Sequence, residues 1–167
     1  HRDLLFAGLR ASHEWNMYPS VNTSLIALQE GDIDVFQEVN IVGLNVSMPH
    51  HRKEEFNRIT RSNNYDRFMD RLNLCKKRDQ VVTVNTVVSK NTWQDTYDAG
   101  KFLHEEFELL NFGASPVYPT CAEHADLMLE SGQIEKVYDM LLQLKEDFGM
   151  NIGTFRAVVP CFSSTPE

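Results

Sequence analysis

One segment, Val-Val-Thr-Val-Asn-Thr-Val-Val at residues 81–88, constrains the fold of this chain more than any other. It is β-branched almost throughout, and β-branched residues favour strands. A strand with one face in water alternates apolar and polar residues, whereas this run is too continuously apolar to be half-exposed. The sequence therefore predicts that residues 81–88 form the centre of a parallel sheet.

Helices and strands alternate on both sides of this segment. The hydrophobic period predicts helices at residues 2–15, 65–78, 92–110 and 134–148, and strands at residues 17–21, 41–47, 112–118 and 152–159. After a turn at residues 22–24, residues 25–36 are predicted as a helix interrupted at Gly31. Strands that alternate with helices indicate a parallel α/β fold, either a doubly wound sheet or an arc of a (β/α) barrel.

Charge and hydropathy limit the partners. The 167 residues carry a net charge of −8 and contain no apolar run long enough to span a membrane. Between residues 50 and 89, nine Lys and Arg residues are interspersed with five Asp and Glu residues. This mixture is typical of a solvated helix face and not of a nucleic-acid footprint. We expect neither nucleic acid nor a membrane as a partner.

The spacing of the cysteines and histidines does not match a metal-binding motif. Cys75, Cys121 and Cys161 form no CxxC pair, and their number favours a reducing cytoplasm. Adjacent residues are expected to point apart, so His50 and His51 are not expected to share a metal ion. The GxSxG, HExxH, P-loop and GxGxxG motifs are absent from the sequence, which argues against several hydrolase and nucleotide-binding classes.

Polar residues follow the predicted strands, where parallel α/β proteins bind ligands. These segments are residues 22–24, 47–50, 85–89 and 115–118. Ser47, Asn85 and Ser89 have side chains that can hydrogen-bond a ribose or a carboxylate. Ser and Asn also cap helices. The residues alone leave both interpretations open.

Five phrases, taken in order, resemble the middle of a radical S-adenosylmethionine (AdoMet) enzyme barrel. They are Asn-Thr-Ser-Leu-Ile at 22–26, Leu-Asn-Val-Ser-Met at 44–48, Phe-Asn-Arg-Ile-Thr-Arg at 56–61, Tyr-Asp-Arg-Phe at 65–68 and Val-Thr-Val-Asn-Thr-Val-Val at 82–88. In that family the corresponding phrases are Thr-Asn-Gly-Thr-Leu, Ser-Leu-Asp-Gly, His-Asn-Arg-Ile-Arg-Gly, Phe-Asp-x-Val and Val-Asn-x-Val-Val. The order and spacing of the phrases carry the resemblance.

The resemblance implies an incomplete TIM-like (β/α) barrel with parallel strands over residues 1–118. Residues 119–167 would be a last helix and strand leading toward an accessory C-terminal domain, as in SPASM-type peptide-modifying or maturase members. The implied cofactors are AdoMet and a [4Fe-4S] cluster, which together start a radical modification of a substrate. That substrate is expected to be a peptide or a protein.

The resemblance also assigns a cofactor site. Ser47 and Asn85 would face the ribose or the methionine carboxylate of AdoMet, and the backbone near Pro116 and Val117 would lie by its adenine. Asn22 and Ser24 complete this set of cofactor-binding residues.

Several residues depart from the family pattern. Val21 and Thr23 replace Thr and Gly, and Pro49 and His50 replace Asp and Gly. The CxxxCxxC motif that holds the cluster is absent, and it would lie before His1 with the Gly-Gly-Glu-Pro segment. Because the cluster ligands are not in this chain, we expect the chain alone to be inactive.

Two other classes stay open from the residues. One is a self-contained α/β binding or protein-interaction module without catalysis. The other is a conventional (β/α) barrel lyase or isomerase, which needs a Lys or paired acids at strand ends, where Lys90 is the nearest Lys. A partial barrel leaves strand edges uncovered, so we expect self-association or binding of a complementary fragment.

Overall fold

Parallel strands form one sheet in the computed structural model, which describes residues 2–118 and 122–153. The described strands are β1 (Ser20–Thr23), β2 (Gly43–Ser47), β3 (Val82–Val88), β4 (Asn111–Pro116) and β5 (Asn151–Gly153). The described α-helices are α1 (Arg2–Glu14), α2 (Glu30–Glu38), α3 (Lys53–Thr60), α4 (Tyr65–Lys77), α5 (Thr96–Phe107) and α6 (Ser131–Phe148). Short 3-10 helices span Trp93–Asp95 and Ala122–Leu127.

The strand order resolves the choice that periodicity left open. Neighbouring strands in the sheet follow the chain order from β1 to β5, and each pair is parallel. A doubly wound sheet reverses its order at a switch point. Without a reversal, each right-handed crossover advances in the same direction and places its helices on the same face. The predicted α/β fold and partial barrel are confirmed, and the sheet is open.

One face of the central strand β3 is buried under the helices. Val82, Val84 and Val88 are at most 2% exposed. On the opposite face, Thr83 and Asn85 are half-buried and Val87 is 52% exposed. The prediction of a central strand is confirmed, but the prediction that it is too apolar to be half-exposed is wrong. The described helices cover one face of β3 and leave the other face open. The β-branched sequence of the strand does not show this difference between its faces.

The core between the sheet and the helices is closely packed. The Phe56 and Phe68 ring centroids lie 5.3 Å apart, and both side chains are at most 2% exposed. Helices α5 and α6 approach closely at Gly100, where an added Cβ would overlap Cδ1 of Leu144. The predicted helix end at Gly149 is confirmed, since its φ of +66° suits glycine.

The first strand and the second helix differ from the sequence prediction. Strand β1 includes Asn22 and Thr23, which were expected to form a turn, and the chain turns at Leu25, whose φ is +63°. Gly31 lies in the first turn of α2 and does not interrupt it. The Asp32 carboxylate accepts the Gln29 N–H at 2.8 Å, which stabilises the helix start.

Helix α3 has no counterpart in the hydrophobic pattern, since Phe56 is its single buried residue. Residues 122–153 add helix α6 to the fold and strand β5 to the same sheet, where β5 pairs with β4. Residues 154–159 of the predicted last strand, together with Cys121 and Cys161, lie outside the described residues. The domain division at residue 118 stays a prediction. No helix in the described ranges has the length and apolar character that crossing a membrane requires.

Candidate functional site

The open face of the sheet carries small and polar side chains. Strand alternation and register place these residues on it: Ser20, Asn22, Gly43, Asn45, Ser47, Thr83, Asn85, Val87, Asn111, Gly113, Ser115, Asn151 and Gly153. None of these strand residues is charged, and Val87 is the only branched apolar one among them. The interior of a TIM barrel is normally filled by bulky branched side chains. These residues instead leave room for a ligand that forms hydrogen bonds.

Asparagines form a row across this open face. Asn22 lies beside Asn45 in the register of β1 and β2, and Asn111 lies beside Asn151 in that of β4 and β5. The Asn151 Nδ2 donates to Oδ1 of Asn111 at 3.0 Å. Side-chain amides supply both donors and acceptors without charge. The row therefore presents uncharged hydrogen-bonding groups on the open face.

A cleft of about 510 Å³ lies where strands β2, β3 and β4 end. Its lining residues are Ser47, Met48, Pro49, Arg58, Ile59, Arg61, Asn85, Val87, Ser89, Asn91, Thr92, Val117 and Leu127. The volume is within the usual range for a site that binds a small molecule or a cofactor. Its position at the carboxyl ends of parallel strands is the usual place for a ligand.

Three of the residues proposed for the cofactor site line this cleft. Ser47 and Asn85 lie side by side in the register of β2 and β3. The Asn85 Oδ1 accepts a hydrogen bond from the Ser115 hydroxyl at 3.1 Å. Val117 follows β4, and its N–H donates to the Val88 carbonyl at 2.8 Å. The fold therefore brings Ser47, Asn85 and Val117 together.

The other three proposed residues lie elsewhere. Pro116 is the register partner of Val88 at the end of β4 and is not among the residues that line the cleft. Asn22 lines a separate groove of about 430 Å³ beside α1 and α2. Ser24 is exposed just after β1 and lines neither space.

Two arginines at the cleft were missing from the site proposed from the sequence. Helix α3 places Arg58 and, just beyond its end, Arg61 on the cleft wall. Arg58 donates from Nε and Nη2 to the Glu55 carboxylate at 3.0 and 2.6 Å, which lowers the pKa of Glu55. Arg61 has no carboxylate partner among the described residues, so its charge is available to an anionic group. The sequence feature that could have indicated these arginines is their three-residue spacing. The sequence analysis assigned the charged residues of this region to a solvated helix face.

The described residues do not supply an iron–sulfur ligand set. Cys75 lies in α4 with no exposed surface, and burial raises the pKa of its thiol to about 11. Cluster ligands are thiolates, which a high pKa disfavours. Within residues 2–118 and 122–153, no group of His, Cys, Asp and Glu is arranged to hold a metal ion.

The Cys75 thiol predicts a loss of stability in alkali. An unfolded chain loses a thiol proton near pH 9, while the folded chain keeps it until about pH 11. The free energy of unfolding should therefore fall as the pH rises between these values, by at most about 1.4 kcal/mol per pH unit. Urea titrations from pH 8 to 11 would measure the free energy of unfolding at each pH. In Cys75→Ala this free energy should fall less steeply with pH than in the wild type. Equal slopes for the two proteins would contradict the assignment.

His50 and His51 do not point apart as predicted. Their rings stack with centroids 4.8 Å apart, because they lie in a connection and not in a regular strand or helix. His50 is 3% exposed and is bonded through both ring nitrogens. Burial and the neighbouring His50 lower the pKa of His51.

Comparison with known proteins identifies the fold. No protein-family model matches the sequence, and no curated protein matches it. Among solved structures, SuiB of Streptococcus suis has a TM-score of 0.74 at 10% identity, over 89% of this chain and 35% of SuiB. A domain of pyruvate-formate lyase-activating enzyme from Bacteroides vulgatus has a TM-score of 0.72 at 14% identity, over 93% of this chain and 92% of that domain.

The structure of anSMEcpe with bound AdoMet is also similar, with a TM-score of 0.64 at 15% identity. The match covers 83% of this chain and 40% of anSMEcpe, so the chain spans well under half of anSMEcpe and of SuiB. These proteins are radical AdoMet enzymes. Other structures show anSMEcpe with AdoMet and a peptide, and SuiB bound to the precursor peptide SuiA. At these identities the comparison shows the fold that the chain shares with them.

Proposed function

We propose that this chain is part of a radical AdoMet enzyme and that it binds AdoMet in the cleft at the ends of β2, β3 and β4. The observation that carries the proposal is the grouping of Ser47, Asn85 and Val117 around one cleft. The chain shares its fold with anSMEcpe, a protein whose structure contains AdoMet.

The cleft has the chemistry that the parts of AdoMet require. Ile59 and Val87 are 42% and 52% exposed, so they offer apolar surface to an adenine ring. Ser47 and Asn85 supply hydrogen bonds for ribose hydroxyls. Arg61 supplies a positive charge for the methionine carboxylate. Reductive cleavage of AdoMet by one electron from a cluster held elsewhere in the parent enzyme would supply the radical chemistry, whereas these residues would bind and orient AdoMet.

The cluster that reduces AdoMet does not fit the described residues, because Cys75 is buried as a neutral thiol within α4. The chain's three cysteines are also too far apart in sequence for a CxxxCxxC motif. In this proposal the chain contributes the cofactor cleft and the open face, and the cluster ligands belong to another segment of the parent enzyme. The chain alone is then inactive.

The proposed substrate is a peptide or a protein. The row of Asn22, Asn45, Asn111 and Asn151 offers uncharged donors and acceptors that match main-chain amides. The peptide complexes of anSMEcpe and SuiB support this class of substrate.

Isothermal titration with AdoMet tests the proposal. We expect the full chain to bind one AdoMet, and we expect no 5′-deoxyadenosine after reduction with dithionite, since the chain lacks the cluster motif. Arg61→Ala should weaken binding, because it removes the charge proposed to face the methionine carboxylate. Arg10→Ala is a matched control, since Arg10 is half exposed on α1 and pairs with Glu38 away from the cleft. An absence of AdoMet binding would overturn the proposal and favour a protein-interaction module.

A further inference from the structure

A polar cluster around the buried His50 links two connections that contribute walls to the cleft. The β2–α3 connection (residues 48–52) contains His50, and the β3–α5 connection (residues 89–95) ends at Asp95. The Nδ1 of His50 accepts the Arg52 N–H at 3.0 Å, so the ring proton lies on Nε2. That nitrogen donates to Oδ2 of Asp95 at 3.1 Å. A neutral histidine bonded at both nitrogens has one ring orientation.

Asp95 receives a second hydrogen bond from the same connection. The Nη2 of Arg52 donates to Oδ2 of Asp95 at 2.8 Å. Helix α4 holds this connection from another side, since the Tyr65 hydroxyl donates to the His51 carbonyl at 2.7 Å. The β2–α3 connection is thereby fixed relative to two neighbouring elements.

Both linked connections contribute directly to the cleft. Met48 and Pro49 precede His50 and line one wall, whereas Ser89, Asn91 and Thr92 line another. The Asp95 N–H donates to the Thr92 carbonyl at 3.1 Å, so the aspartate is joined to a lining residue. A change in the bond between His50 and Asp95 would therefore alter the separation of the walls.

We propose that His50 and Asp95 are positioning residues that set the width of the AdoMet cleft. The inference rests on the proposed function. His50 stands where the resembling family has glycine, and its φ is not positive, so the connection does not need glycine here. The side-chain bond to Asp95 holds the connection in its place. A hydrogen-bonded pair with one buried partner fixes a specific geometry more strictly than apolar packing does.

The test measures the AdoMet dissociation constant of the full chain and its variants by isothermal titration, at a temperature where circular dichroism shows each variant folded. We expect His50→Asn to weaken binding about tenfold, because Asn can accept the Arg52 N–H but is too short to reach Asp95. Asp95→Ala should weaken it similarly, because it removes the carboxylate that accepts the His50 Nε2–H, and Asp95 is partly exposed, so this variant is expected to fold. His13→Asn is the control, since His13 is exposed on α1.

A double-mutant cycle separates positioning from general stability. The variant with both His50→Asn and Asp95→Ala should bind AdoMet no more weakly than the weaker-binding single variant, since both substitutions remove the same contact. Unchanged affinity in both single variants, beside a wild-type chain that binds AdoMet, would overturn the inference and leave the proposed function intact.

If the wild-type chain binds no AdoMet, the proposed function fails and hydrogen exchange decides the positioning role. We then expect the Arg52 and Asp95 amides to exchange faster in His50→Asn than in the wild type, with the α6 amides unchanged. Equal exchange at Arg52 and Asp95 would overturn the inference.

Discussion

Replacing Leu144 with alanine is expected to lower the free energy of unfolding by about 2–5 kcal/mol. Leu144 has no exposed surface and packs from α6 against Gly100 of α5. Its removal takes apolar contacts out of the interface between these helices and leaves a cavity. Urea denaturation followed by circular dichroism measures the change.

Two companion variants make this test specific. Leu4→Ala removes the same atoms at a position that is 75% exposed, so it should change the free energy of unfolding by no more than about 0.5 kcal/mol. Gly100→Ala should destabilise the wild type by about 1–3 kcal/mol, because its Cβ would meet Leu144 and Phe112. In the Leu144→Ala background that clash is relieved, and Gly100→Ala should be close to neutral or stabilising. Equal costs for Leu144→Ala and Leu4→Ala would contradict the described packing.

Replacing Asn85 with alanine is expected to weaken AdoMet binding at least tenfold, which corresponds to about 1.4 kcal/mol. Asn85 lies on the central strand beside Ser47 and lines the cleft. Its Oδ1 accepts the Ser115 hydroxyl, while its amide nitrogen has no hydrogen-bond partner among the described residues. That nitrogen is the donor that we expect to contact the ribose.

The chemistry of the donor is tested by Asn85→Asp, which preserves the shape of the side chain and replaces the amide nitrogen with an acceptor. This variant should weaken AdoMet binding at least as much as Asn85→Ala. Asn111→Ala is the matched control, because Asn111 lies on the same open face near the start of β4 and does not line the cleft. Titration with AdoMet measures all three, and equal affinities for the wild type and Asn85→Ala would exclude Asn85 from the binding site.

Most of the elements, with the exception of α3, follow from the sequence. The β-branched run at residues 81–88 predicted β3 as the central strand. The hydrophobic period at residues 65–78 predicted α4, in which Phe68, Leu72 and Cys75 are buried. These predictions succeed because they depend on residues close together in the sequence: the spacing of apolar residues indicates the type of element and, in a helix, its buried face. The sequence placed Ser47 and Asn85 at the ends of two predicted strands, and the structure added that they are register partners.

What the sequence could not determine depends on how the elements pack. The choice of a barrel arc over a doubly wound sheet needed the strand order, because both have the same alternation of helices and strands. The positions of Arg58 and Arg61 at the cleft depended on where α3 lies, and that helix buries too little apolar surface to be visible in the pattern. The bond between His50 and Asp95 joins residues 45 positions apart. Such contacts arise only when the crossovers bring the two connections together, which is a property of the tertiary structure.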